Sequence, residues 1–132
     1  MADEEAIDAL KRARTAAKSR FTNLRKSLLG LLEHSDVVPV QKIYASEKKL
    51  EDAFDSLNEA HSEYVAAKYS EEDGLQEAEY MDEPLAERLE AEAEWTKWHN
   101  NREKENQELH RAEKEEAHKR SRAEALEDEE RQ

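Results

Sequence analysis

This chain of 132 residues contains no cysteine. That excludes disulfides, thiolate nucleophiles and cysteine-based zinc sites, and it fits a reducing compartment. Glycine and proline occur only twice each. A chain so poor in turn residues has to run in long uninterrupted elements. Apolar residues are scarce as well, at 36% against 42% charged, and aromatics make up only 6%. Such a balance does not suit a compact globule with a deep core. It suits long helices that bury one stripe and keep the remainder wet. The longest apolar cluster, Leu28-Leu29-Gly30-Leu31-Leu32, is far too short to cross a bilayer. The N-terminus, Met1-Ala2-Asp3-Glu4-Glu5, is acidic and leads into no apolar segment of the kind a signal peptide needs. The expectation is a soluble, intracellular, cytoplasmic protein for which a membrane is not a favoured partner.

Alanine, glutamate, lysine, leucine and arginine dominate, and β-branched residues are sparse, so helix is the expected secondary structure. Apolar residues recur at alternating steps of three and four along the first segment: Ile7, Leu10, Ala17, Phe21, Leu24, Leu28 and Leu31, with Arg14 as the one polar interruption. This is a heptad seam on a helix from about residue 3 to 33, opened by the acids Asp3, Glu4, Glu5 and Asp8, which complement the helix dipole. His34-Ser35-Asp36-Val37-Val38-Pro39 breaks it. A second helix from about 39 to 69 repeats Ile43, Leu50, Leu57 and Tyr64 every seven residues, with Val40, Ala53, Phe54, Ala60, His61 and Ala67 in the companion stripe. Two matched helices joined by a short connection predict an antiparallel hairpin. Beyond it, Ser70-Glu71-Glu72-Asp73 resembles a capping box, and Asp82-Glu83-Pro84 is a second helix start. The third helix therefore begins near 71 or 84, residues 70–84 being readable as helix or linker. Leu75, Ala78, Met81, Leu85, Leu89 and Trp95 could form its stripe. From Asn100 to Gln132 the only large apolar residues are Leu109 and Leu126, which predicts a solvated charged helix that frays over 127–132.

The fold expected is all-α: an antiparallel helical hairpin with a third helix, a three-helix coiled-coil-type bundle over 1–99, followed by a long charged C-terminal helix over 100–132. Its core seam is Ile7, Leu10, Phe21, Leu24, Leu28, Leu31, Ile43, Leu50, Phe54, Leu57 and Tyr64.

The net charge of −13 conceals a partition. Residues 11–26 hold Lys11, Arg12, Arg14, Lys18, Arg20, Arg25 and Lys26 and no acid, whereas residues 35–99 hold eighteen acids against six Lys/Arg. The basic stretch has two readings. It could contact the phosphates of nucleic acid or anionic lipid, with Lys11, Arg14, Lys18, Arg20 and Arg25 as the contacts. Preferred is an internal pairing with Glu51, Asp52, Asp55 and Glu59 of the second helix, because ion pairs of that kind orient coiled coils. Trp95 and Trp98 lie three apart on one helix face. Either they cover the open end of the hairpin or they anchor a partner. His61 lies on the inner stripe, where a hydrogen-bonded core histidine is expected and a pH switch is the sharper alternative. Leu28-x-x-Leu31-Leu32 matches a groove-docking pattern, but Leu28 and Leu31 already belong to the seam. Glu115-x-x-His118 has the spacing of di-iron bundles, but it is a single copy in the most polar segment.

No nucleophile, base and orienter can be assembled, no Gly-rich phosphate loop occurs and no carboxylate pair sits in apolar sequence. The chain is expected to be no enzyme and to need no cofactor and no metal. Its expected partners are proteins, itself or another helical chain, as a homo-oligomer, with nucleic acid less favoured.

Two segments also resemble a known family. Leu10-Lys-Arg-Ala-Arg-Thr-Ala-Ala-Lys-Ser-Arg-Phe21-Thr-Asn-Leu24 and Leu50-Glu-Asp-Ala-Phe54-Asp-Ser-Leu57-Asn-Glu-Ala-His61-Ser-Glu are similar to the helical region of unknown function near the N-terminus of Pao/BEL-type retrotransposon, Gag-like polyproteins. The resemblance covers roughly residues 7–95. It implies a capsid-polyprotein-like role with helical self-association close to nucleic acid, and it supplies no catalytic residue. The chain departs from the family in having no zinc knuckle or protease segment after this region, and the charged segment after His99 is not part of the pattern.

Overall fold

A computed structural model describes residues 3–68 and 79–131. These residues form an all-α helical bundle of α1 (Glu4–Glu33), α2 (Val40–Lys68) and α3 (Asp82–Arg131), with a short 3₁₀ turn over 79–81 and no strand among them. The capping box expected at Ser70, together with Gly74, Leu75 and Ala78, lies outside the described residues. The third helix and the charged C-terminal helix are one element of 50 residues, not two. Two compact units divide the chain, residues 1–95 and residues 96–132.

Local chemistry sets the helix ends. Asp3 caps α1, its Oδ1 accepting the Ala6 N–H at 2.7 Å, which satisfies one of the orphan donors of the first turn. At the other end the His34 N–H donates to the Leu31 carbonyl at 3.2 Å, and the Val37 and Val38 N–H groups both return to the His34 carbonyl. Pro39 then precedes α2 with no N–H to lose, and its carbonyl accepts from Lys42 at 3.0 Å.

α1 and α2 are antiparallel. The pairs Arg14–His61 and Phe21–Phe54 lie seven residues apart on each helix, in opposite order, with the two phenyl rings 5.7 Å apart and tilted by 55°. Between them Phe21, Leu28, Ile43, Leu50, Ala53, Leu57 and Tyr64 are buried. Ile7, Leu10, Leu24, Leu31 and Phe54 are half-buried at the margins of the same seam. α2 buries the most residues: α1 packs along it, and the start of α3 reaches it through Arg88–Glu47 and Trp95–Tyr44.

The start of α3 runs parallel to α1 and antiparallel to α2. Arg25 pairs with Glu87 at 3.6 Å, Arg88 with Glu47 at 2.8 Å, and Trp95 meets Tyr44 edge-on at 6.1 Å. Pro84 and Ala91 are fully buried. The stripe that faces the hairpin is therefore Pro84, Arg88, Ala91 and Trp95. Leu85 and Leu89, expected to carry the third stripe, are 46% and 56% exposed. The inward stripe wins because long side chains seal it: the two arginine–carboxylate pairs are mostly shielded from water, and the indole of Trp95 covers far more surface than a leucine. The placement of Trp95 is a second correction. Tyr44 lies one turn into α2, at the looped end of the hairpin, so Trp95 does not cover the open end.

Burial separates two leucines that heptad spacing treats alike. Leu57 is inaccessible and Leu24 is half-buried. Leu57→Ala is expected to cost about 2–5 kcal/mol and Leu24→Ala clearly less. Urea titrations of the full chain, followed by helical circular dichroism, measure both, and equal losses would contradict the packing described.

Candidate functional site

Arg14 sits where the α1 seam demands an apolar residue, and it is 7% exposed. A charge withdrawn from water has to be matched by partners. Its Nη1 donates to Nδ1 of His61 at 3.2 Å. Its guanidinium carbon lies over two phenol rings, 4.1 Å from the centroid of Tyr64 and 3.8 Å from that of Tyr80. The negative faces of both rings attract the cation, and the attraction is strong where water is excluded. Tyr80 also stacks on His61, with ring centroids 5.0 Å apart and planes at 11°. Lys18 approaches the Tyr80 ring at 5.1 Å. Lys68 donates to the Tyr64 hydroxyl at 2.9 Å.

Because a guanidinium can only donate, the contact assigns Nδ1 of His61 as the acceptor and places its N–H at Nε2. His61 is thus the hydrogen-bonded core histidine expected from its position on the inner stripe. The cluster draws on α1 through Arg14, α2 through His61 and Tyr64, and the turn before α3 through Tyr80. It ties three segments together.

The remaining basic residues divide in two. Arg25 is half-buried in its pair with Glu87, so neither Arg14 nor Arg25 belongs to a surface stripe. Lys11, Arg12, Arg20 and Lys26 are exposed. The internal pairing expected with Glu51, Asp52, Asp55 and Glu59 does not form: those four acids are exposed on α2, and Lys48 of the same helix takes Asp52 at 3.4 Å. The hydrogen bond that the Lys48 ammonium donates to Asp52, with the charge of Asp52 and help from Glu51 and Asp55, raises the Lys48 pKa above the ordinary lysine value. Beside the exposed cations, Thr15, Lys18, Ser19, Thr22, Asn23 and Tyr80 line an open recess of about 550 Å³.

Trp95 is half-buried against Tyr44, and Trp98, in the other unit, is half-buried as well. In that second unit every residue from Glu103 to Glu130 is exposed. Among the described residues no helix is long and apolar enough to cross a membrane, and no three His, Asp or Glu side chains converge as a metal site. Sequence reasoning missed Tyr80, Glu47, Glu87 and Arg88. Tyr80 carried the one usable signal, an aromatic in an aromatic-poor chain just ahead of the Asp82-Glu83-Pro84 helix start. No protein-family model matches the chain, and neither does any curated protein or solved structure.

Arg14 is expected to be irreplaceable by lysine. Arg14→Ala and Arg14→Lys should each cost about 2–4 kcal/mol, because an ammonium cannot lie flat between two rings while it reaches His61. Chemical denaturation of the full chain reads this, and a wild-type midpoint for the lysine variant would dismiss the cage as a determinant of stability.

Proposed function

We propose that this is a structural, non-catalytic interaction protein that acts through helix-to-helix self-association, with the exposed half of α3 as the contact element. The carrying observation is the exposure of residues 103–130, an unbroken helix on which Leu109 and Leu126 are 59% and 61% exposed. An isolated helix of this composition depends on side-chain pairs such as Glu116–Arg120, at 3.4 Å, and each such pair contributes only about 0.2–0.5 kcal/mol. A second helix laid against it adds the packing that local pairs lack. The resemblance of residues 7–95 to Gag-like retrotransposon polyproteins supports the same reading, as a capsid-polyprotein-like module working inside the cell.

The expected behaviour is reversible, concentration-dependent association of the full chain in sedimentation velocity. Leu109→Asp with Leu126→Asp should lower that association without shifting the melting of the 1–95 unit. Association that survives both substitutions would remove α3 from the role.

One observation favours a second reading, a polyanion-binding face on α1. Lys11, Arg12, Arg20 and Lys26 are exposed, the helix between them carries no acid, and hydroxyl and amide side chains fill the gaps. Nucleic acid or an anionic membrane would supply the phosphates. On this reading, reversing Lys11, Arg12, Arg20 and Lys26 abolishes salt-sensitive RNA retention, whereas Arg14 and Arg25 are the wrong targets because the fold uses them. RNA binding that is absent at low salt, or unaffected by the reversal, would exclude the RNA form of this reading.

A further inference from the structure

The exposed half of α3 carries a seam of its own. From Trp98 the steps of four and three pass through 102, 105, 109, 112, 116, 119, 123 and 126, the 3.5-residue period of a helix that meets another along one face. Over the second part of this register the residues are Leu109, Ala112, Glu116, Lys119, Ala123 and Leu126. Read from the far end the same positions give Leu, Ala, Lys, Glu, Ala, Leu. The seam is its own complement when reversed.

We infer that two copies of the chain pair antiparallel through residues 109–126, about a dyad between Ala117 and His118. This rests on the proposed use of α3 for self-association and names the partner and the register. In that register Leu109 meets Leu126 of the second copy, Ala112 meets Ala123, and Glu116 meets Lys119. Each match occurs twice, as a two-fold interface requires. The flanks agree. In an antiparallel pair the residues beside the seam face their own kind of position, which sets Glu113 against Arg120 and Glu115 against Arg122, again twice each.

Other arrangements fail on the same residues. A parallel in-register pair keeps leucine on leucine but stacks Glu116 on Glu116 and Lys119 on Lys119. Sliding the antiparallel pair by one heptad either way sets Leu109 against Lys119 or Leu126 against Glu116. The pairing also has natural limits: beyond the leucines Glu105 would face Glu130, and Glu108 would face Glu129. Those like charges confine the contact to about 26 Å of helix. The Glu116–Arg120 pair within one helix is too exposed to compete, at 68% and 77% side-chain exposure.

Sedimentation velocity on the full chain, up to millimolar protein, tests the register, with far-UV circular dichroism confirming that each variant stays helical. Glu116→Lys is expected to weaken self-association about tenfold, since two attractions per dimer become repulsions. Glu116→Lys combined with Lys119→Glu restores it, and chains carrying only one of the two changes associate with each other better than with themselves. Glu105→Lys tightens the dimer by converting its contact with Glu130, an effect that loss of structure cannot mimic. A wild-type chain that remains a monomer throughout overturns the inference, as does a Glu116→Lys chain that associates unchanged or a charge swap that restores nothing. Association that depends on Leu109 and Leu126 but ignores these charge changes refutes the register alone. Association that ignores the leucines as well refutes the use of α3.

Discussion

Phe21 and Leu28 of α1 leave water together with Ile43, Leu50, Leu57 and Tyr64 of α2, and neither helix could keep its stripe dry alone. Every other feature depends on that mutual closure. The chain has little apolar material beyond it, so among the described residues most of what is not on this seam is held by long charged and aromatic side chains or left in water. The antiparallel register follows from the same closure, because Phe21 against Phe54 and Arg14 against His61 can both be satisfied only when the helices run in opposite directions.

Arg14 is the place where the seam gives up packing. A leucine there would cost nothing to dehydrate, whereas a guanidinium has to be given a hydrogen-bond acceptor and electron-rich faces. His61 and Tyr64 come from α2, and Tyr80 comes from the turn before α3. The polar interruption thereby brings a third segment to the hairpin. Arg25–Glu87 and Arg88–Glu47 continue the same kind of attachment towards the looped end, and Trp95 on Tyr44 completes it. α3 is joined to the hairpin more by long charged and aromatic side chains than by aliphatic ones, which is why Leu85 and Leu89 can face outward.

Charge is used differently in different places. On α1 it is split between residues the fold consumes, Arg14 and Arg25, and residues it leaves in solvent, Lys11, Arg12, Arg20 and Lys26. On the outer face of α2, Asp52 finds a lysine of its own helix, Lys48. On residues 103–130 both signs alternate along a helix that buries none of its side chains, and the seam Leu109 to Leu126 reads the same after reversal and exchange of charge. A surface of that kind is suited to a second helix of identical sequence, and self-association is the use proposed for it.

The helices, the break at His34 to Pro39 and most of the hairpin core could be read from the residues, because a period of 3.5 to 3.6 is a local property and the connection is too short to permit anything but an antiparallel return. His61 on the inner stripe was equally legible. The rotation of α3 was not. Its first turns carry two competing stripes, Leu85 with Leu89 and Pro84 with Arg88, Ala91 and Trp95, and hydrophobicity alone picks the first. The choice belongs to the hairpin, which offers Glu47, Arg25 and Tyr44 to side chains long enough to reach them. The fate of the basic stretch was undecidable for the same reason. Whether an arginine is a surface cation or a buried strut depends on which rings and carboxylates other segments bring within about 4 Å of it, and attraction at that range is set by the folded arrangement and not by spacing along the chain.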